Sequence, residues 1–323
     1  MRYVEVEGFA KISKVGLGTW QFGSSEWGYG EHYASDTAKA ITRRALELGI
    51  TFFDTAEFYG FGRSERILGE ALGDRRGEVV VATKLFPVLP VPVVARSRAV
   101  ASRRRLGLSR IPLYQLHWPN PIISDETIMP GMRALQDAQV VDRVGVSSYT
   151  LARWRVAEEA LGRRILSNQV KFSLAHPDPL WELVPWAHEH GRLVIAYSPL
   201  AQGLLSGRYD ETHRPSGSAR AANLLFLPDN LRRAAVLLDL LRDIAAAHDA
   251  SPAQVALAWL LRFDGVIVIP GASSVAQLEA NVAAAELDLD DDEHAVLTQA
   301  AEKFQPLRGA KALPELARRL LRG

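Results

Sequence analysis

Eight short apolar runs, with segments of helical periodicity between them, constrain this chain more than any other feature of its sequence. The runs are Val15–Thr19, Thr51–Asp54, Val79–Lys84, Leu113–His117, Val144–Ser147, Ser167–Val170, Leu193–Tyr197 and Val266–Pro270. Residues 34–48, 64–72, 125–139, 151–161, 180–190, 231–245, 253–262 and 275–285 carry the helical pattern; in 231–245, Leu231, Ala234, Leu238, Leu241 and Ala245 share one face. Ser64, Ser124, Ser251-Pro252 and Ser274 supply caps or first-turn positions. Such an alternation predicts α/β architecture: a closed (β/α)8 TIM barrel, with Met1–Ser13 as an N-terminal β-hairpin plug at one end. An open doubly wound sheet is the alternative. It calls for a G-x-G-x-x-G turn after the first strand, and the pairs Gly28/Gly30 and Gly60/Gly62 both lack the third glycine. No linker or composition shift divides the chain, so residues 1–323 read as one domain. Residues 199–228 form the longest irregular stretch, of the kind used as a lid or binding loop.

Charge narrows the function. The 38 Lys and Arg stand against 37 Asp and Glu, a balance of +1 that argues against an extended surface for nucleic acid or anionic membrane. There is no Cys, which removes disulfides, thiolate nucleophiles and Cys-ligated metals and suits a reducing cytoplasm. The first residues lack the pattern of a signal or transit peptide, and no apolar run approaches the roughly 20 residues of a membrane span. A soluble cytoplasmic protein is the simplest expectation. Arg96 to Arg110 reads as a basic outer helix face, since no aromatics interleave its arginines. His188-Glu189-His190 lacks the spacing that sets two imidazoles on one helical face, so no metal is expected. Asp288 to Glu293 fits a helix N-terminus rather than a calcium loop.

In a closed barrel, reactive groups gather at the C-terminal ends of the strands. Those ends and the loops beyond them offer Asp54 and Tyr59, Lys84, and His117. Taken singly, Asp54 can cap a loop, Tyr59 can pack with a wet hydroxyl, and His117 can bond a carbonyl. Lys84 is different, because an ammonium ending the run Val79-Val80-Val81-Ala82-Thr83 is largely desolvated and needs a partner, for which Asp54 is the natural choice. A phenol titrates at about 10, and a neighbouring ammonium is expected to lower that of Tyr59. Tyr59 would then protonate a developing alkoxide, with His117 hydrogen-bonded to the same oxygen. None of the four is a good nucleophile here. The group is built to protonate oxygen, and a nicotinamide cofactor is the hydride source it needs.

Gly16-Leu17-Gly18-Thr19-Trp20, Phe53-Asp54-Thr55-Ala56-Glu57-Phe58-Tyr59-Gly60, Ala82-Thr83-Lys84, Leu116-His117-Trp118-Pro119, Gly145-Val146-Ser147-Ser148-Tyr149, Asn168-Gln169-Val170, Ala196-Tyr197-Ser198-Pro199-Leu200 and Ile269-Pro270-Gly271-Ala272 resemble the aldo-keto reductase superfamily. The match runs in order over essentially the whole chain. The resemblance implies the (β/α)8 fold, a tetrad of Asp54, Tyr59, Lys84 and His117 with Tyr59 as the acid, and hydride transfer from C4 of NADPH to a small-molecule aldehyde or ketone. It implies a cofactor groove including Gly18, Thr19, Trp20 and Asp54. Ser147, Ser148 and Gln169 would lie at the carboxamide, and Tyr197 would stack on the nicotinamide. Ser198, Pro199, Leu200, Gly203 and Leu205 would lie over the pyrophosphate, with Gly271, Ser273, Gln277 and Asn281 towards the adenosine. Trp20, Trp27, Phe58, Phe86 and Trp118 would line the substrate pocket.

Two departures matter. Ser148 stands where the family commonly has Asn, and Gly271–Asn281 contains no basic residue for the 2′-phosphate of NADPH. Ser273, Ser274, Gln277 and the following helix N-terminus are the neutral donors left, with Arg208, Arg214 or Arg220 as cationic help, and NADH is the competing cofactor. The family also includes cofactor-binding regulatory partners such as channel β subunits, which are the alternative reading. A hydrolase or isomerase using Asp54 and His117 is disfavoured, because no second carboxylate or metal-ligand set accompanies them. The tail, Phe304–Gly323, either covers the pocket or packs as a helix around Pro314–Leu321. By the same resemblance the protein is a monomer.

Overall fold

A computed structural model describes residues 1–24, 30, 35–215, 220 and 223–312 of the chain. The strands are β1 (Tyr3–Glu5), β2 (Lys11–Ser13), β3 (Leu17–Gly18), β4 (Phe52–Asp54), β5 (Val80–Leu85), β6 (Ile111–Leu116), β7 (Val141–Ser147), β8 (Ser167–Lys171), β9 (Leu193–Tyr197) and β10 (Val266–Val268). The helices are α1 (Ser35–Glu47), α2 (Arg63–Leu72), α3 (Pro92–Leu106), α4 (Asp125–Asp137), α5 (Leu151–Leu161), α6 (Leu183–Glu189), α7 (Pro228–Ala247), α8 (Pro252–Leu261), α9 (Val275–Ala283) and α10 (Asp291–Lys303). None of the described helices is long and apolar enough to cross a membrane.

Strands β3 to β10 pair in parallel and in chain order. The sheet then closes on itself, with Gly16 N donating to Val268 O (2.8 Å) and Val268 N to Lys14 O (2.8 Å). Closure needs a bare backbone at the seam: a Cβ on Gly18 would lie 2.7 Å from Ile269 O. The result is a (β/α)8 barrel. β1 and β2 form an antiparallel hairpin, Tyr3 opposite Ser13. Its Val4, Val6 and Phe9 pack against Phe52, Val80, Leu113, Leu193 and Ile267 at the strand starts, plugging the N-terminal mouth.

Alternation along each strand decides what the interior contains. Phe52, Val80, Ala82, Leu113, Leu193, Ile195 and Ile267 form the inner apolar cluster. Their neighbours Phe53 and Val81 pack outward under the helices, as do Tyr114, Leu116, Val144 and Val194 elsewhere. Counting on in steps of two gives Asp54 from Phe52, Lys84 from Ala82, His117 from Leu113 through Gln115, and Tyr197 from Ile195, while Ser147 and Gln169 pair in register two residues beyond Gly145 and Ser167. All six share the inward register at the C-terminal mouth.

Three local features differ from the sequence reading. Helix α3 begins on Pro92 and ends at Gly107 in the left-handed conformation, but its buried face is Ala95, Ala99, Ser102 and Leu106, too small to leave an apolar stripe in the sequence. Its arginines do not all face solvent: Arg98 Nε donates to Glu57 Oε2 (3.0 Å) and Arg105 Nε to Glu65 Oε2 (2.5 Å). Ser64 sits one residue inside α2 and is no cap; its hydroxyl is buried against those of Thr19 (2.7 Å) and Thr55 (2.9 Å). By contrast Ser251 and Asp290 each form a complete capping box, so the acidic run does start a helix, α10.

Candidate active site

Lys84 is the centre of the site. Its side chain is fully buried, and Nζ donates to both Asp54 oxygens (2.7 and 2.6 Å), to Thr55 O (2.9 Å) and to Tyr59 Oη (3.3 Å). Asp54 receives a further bond from Gln169 Nε2 (2.6 Å). Three strands and one loop therefore fix the phenol: β4 supplies the carboxylate, β5 the ammonium, β8 the amide, and the β4–α2 loop carries Tyr59. The His117 ring stands edge-on to Tyr59 with centroids 5.8 Å apart. Its Nδ1 is buried without a partner.

Burial raises the Asp54 carboxyl and lowers the Lys84 ammonium, and the attraction of each for the other opposes both shifts. His117 is lowered to about 2, first by burial and then by Lys84, so its imidazole is neutral at physiological pH. Tyr59 behaves contrary to the sequence expectation: burial, then Asp54, pushes its phenol well above the ordinary range. The reason is geometric. Lys84 is already neutralised by two shorter bonds to Asp54, so its longer contact with the phenol does not offset desolvation.

An aromatic wall rises beside the tetrad. Trp20 stacks over Tyr59 (6.1 Å, 26°), Phe58 stacks on Phe86 (4.6 Å, 11°), and Phe86 meets Trp118 edge-on (4.8 Å). Trp20, Phe58 and Trp118 are exposed. Trp27 lies outside the described residues.

The expected cofactor positions fall along the same mouth, with their side chains in different states. Gly18 N donates to Pro270 O (3.2 Å) at the seam, while Thr19 Oγ1 is bonded to Asp54 O (2.9 Å) inside the barrel. Ser147 Oγ donates to Gln169 O (2.8 Å), whereas Ser148 is exposed at φ 60°, a conformation that favours Gly or Asn. Tyr197 ends β9, and after it Ser198 (φ 50°), Gln202 (φ 58°) and Gly203 (φ 100°) adopt left-handed backbone. Pro199 and Leu205 are buried and Leu200 is half-buried; Leu205 is fully covered, with its N bonded to Leu200 O (3.3 Å), so it presents no surface to a ligand, contrary to the sequence expectation. Asn281 Nδ2 holds Gly271 O (3.3 Å), and Gln277 Oε1 accepts from Ser273 N and Oγ (both 3.0 Å). Arg220 Nε is bonded to Gln202 O (3.0 Å), and Arg208 is exposed.

The sequence model of the Aldo/keto reductase family matches residues 14–302. The chain belongs to this family. It is 58% identical over 318 residues to an uncharacterized oxidoreductase of Mycobacterium tuberculosis, covering 98% of each. It is 32% identical over 303 residues to a methylglyoxal reductase of Escherichia coli, covering 93% of this chain and 94% of that one. Among solved structures, an aldo-keto reductase of Klebsiella pneumoniae in complex with NADPH superposes with a TM-score of 0.74 at 27% identity, over 96% and 98% of the two chains.

As an aldo-keto reductase, the chain is an NAD(P)H-dependent oxidoreductase. Its site also rests on residues that sequence reasoning did not single out. Glu57, two residues before Tyr59, accepts from Phe86 N (2.6 Å) and from Arg98 Nε, while Arg98 Nη1 donates to Phe86 O (2.9 Å). This clamp ties the Tyr59 loop to the aromatic wall and to α3. Glu65 accepts from Thr83 Oγ1 (2.7 Å) directly behind Lys84. The available signal was a second acid, Glu57, between Asp54 and Tyr59 with apolar Ala56 and Phe58 on either side. Among the described residues, no group of three or more His, Asp or Glu side chains could hold a metal ion.

Proposed function

We propose that this aldo-keto reductase uses NADPH to reduce aldehydes and ketones with apolar or aromatic bodies, with Tyr59 as general acid. The observation that carries the reading is the Tyr59 hydroxyl 3.3 Å from an ammonium that Asp54 grips at 2.6 and 2.7 Å, at the foot of an aromatic wall. The chain's own residues fit the cofactor. Gln169 and Ser147 bring amide and hydroxyl to the mouth, Tyr197 offers a ring face, and the strained backbone at Ser198 and Gln202 is of the kind retained at binding loops. Ser273, Ser274 and Gln277 are the neutral groups for a 2′-phosphate, and the NADPH complex of the Klebsiella pneumoniae relative favours that cofactor. The cofactor supplies the hydride that adds to the carbonyl carbon.

The remaining work falls to side chains. Because burial keeps the Tyr59 phenol protonated at neutral pH, it stands ready to give its proton to the carbonyl oxygen. Lys84 acts afterwards, stabilising the phenolate that this transfer leaves, and Asp54 keeps the ammonium charged and aimed. Neutral His117 has its Nδ1 buried without a partner, and an unfilled lone pair is cheaper to bury than an unfilled N–H, so the proton belongs on Nε2. From there it donates to the same carbonyl oxygen. Trp20, Phe58, Phe86 and Trp118 hold the substrate body and exclude water. We read residues 1–323 as one barrel domain, acting as a cytoplasmic monomer.

Following NADPH oxidation at 340 nm with an activated aromatic aldehyde tests the reading. Tyr59→Phe is expected to lose most turnover, on the order of a hundredfold or more for removal of a general acid, with NADPH affinity nearly unchanged by fluorescence quenching. Full turnover in the variant would remove Tyr59 from its role.

A further inference from the structure

One inward step beyond Gln169 on β8 stands Lys171, in register with Tyr197 of β9. Two residues of strand separate Lys171 from Gln169, about 7 Å. Its ammonium is half-buried and makes no hydrogen bond or ion pair among the described residues. Lys171 lines a cavity of about 320 Å³ together with His176, Asn223, Leu225, Leu307 and Arg308. His176 is 9% exposed and its Nδ1 has no partner among the described residues. Arg308 reaches the exposed carboxylate of Asp178 at 3.5 Å, a rim contact, and no acid lines the cavity among the described residues. Burial and Arg308 together lower Lys171, and His176 is lowered to about 3 by burial, Lys171 and Arg308. Lys171 and His176 thus face Arg308, whose one acidic partner among the described residues is Asp178 at the rim.

Such a cluster is costly when empty and well matched to one kind of guest. We propose that the cavity is an oxyanion-binding site, in which Lys171 and Arg308 hold a carboxylate or phosphate group beside the neutral His176 ring. The cavity has room for phosphate or for the acidic end of a small organic molecule. Two sources share this chemistry: a free anion, and an acidic tail on the carbonyl substrate reaching past Tyr197. The second source rests on the reductase reading above; the site itself does not.

Inorganic phosphate, titrated calorimetrically into the full chain at constant ionic strength in chloride, tests the site without any turnover. Wild type is expected to show one saturable site. Lys171→Met should weaken it roughly tenfold to a hundredfold, the range of one charge-assisted hydrogen bond, and Tyr59→Phe should leave it intact. Absence of saturable binding in wild type, equal binding in Lys171→Met, or loss in Tyr59→Phe would each overturn the proposal. Melting in chloride provides the folding control. Lys171→Met should melt at or above wild type, because it removes an unpaired charge, and phosphate should raise the melting point of wild type alone; a clearly less stable variant would show that Lys171 has a structural partner and no vacant site. The source is separated by comparing 4-carboxybenzaldehyde with 4-methylbenzaldehyde. A KM raised by Lys171→Met for the carboxylate alone identifies a substrate tail, and equal effects on both, with phosphate binding retained in wild type, identify a free anion. If neither aldehyde turns over, the reductase reading fails while the phosphate titration still decides the site.

Discussion

Replacing Lys84 by Met isolates the electrostatic core of the barrel. The change removes four hydrogen bonds, two to Asp54, one to Thr55 O and one to Tyr59 Oη, and leaves a carboxylate that is 2% exposed with Gln169 as its remaining side-chain donor. Breaking a buried pair from one side costs about 3–5 kcal/mol, because the other charge is stranded. Asp54 has a carboxyl that burial already pushes up, so the variant should relieve the cost by binding a proton in the folded state. A group whose folded pKa lies above its unfolded value contributes stability at low pH and loses it as pH rises through the folded pKa. The penalty of Lys84→Met should therefore shrink on acidification, by up to about 1.4 kcal/mol per pH unit between those two values. Urea unfolding near pH 8 and near pH 5.5, followed by tryptophan emission, measures it; Trp154 and Trp259 are fully buried and report the core. The double variant Asp54→Asn/Lys84→Met removes both charges and should regain most of the loss. A Lys84→Met penalty below about 1 kcal/mol near pH 8, or a double variant no more stable than the single one, would refute the description of this contact as a buried ion pair.

Acid should also destabilise wild type through His117 and His176, whose folded forms are lowered to about 2 and about 3. Both are neutral when folded and protonate when unfolded below about 6.5, so stability measured in chloride should fall with pH below that value at up to about 1.4 kcal/mol per unit for each histidine, and His176→Asn should flatten the slope. Gly145→Ala should cost about 1–3 kcal/mol in urea unfolding, since a Cβ there would lie 2.5 Å from Ser167 Oγ and 2.9 Å from Gln115 Cγ inside the barrel. A neutral result would mean that the interior has slack at that layer.

Much of this architecture was open to reading because barrel strands announce themselves twice, by apolar content and by the helical pattern that follows. The eight expected runs all coincide with β3 to β10, and the helix expected at 151–161 is α5 to the residue. Helix α3 was legible only as a basic face, because its inner face is alanine and serine, and its arginines, read as solvent-facing, include two that grip Glu57 and Glu65. Asp54, Lys84 and His117 were legible at strand ends and Tyr59 in the loop beyond β4, and the need of Lys84 for Asp54 followed from desolvation alone. The direction of the Tyr59 shift was not legible, because it depends on how far the ammonium is already satisfied, a matter of tenths of an ångström.

The sequence by itself determined the repeating units, the inward row and the polar residues carried at its upper end, since strand alternation is a local property of period two. Tertiary structure alone decided which residues separated along the chain share a bond. Gln169 reaches Asp54 across the barrel, Glu57 clamps Phe86, and Lys171, His176 and Arg308 close on one cavity. Ring closure brings those groups together, and burial then sets their charges, so neither could be read from local pattern.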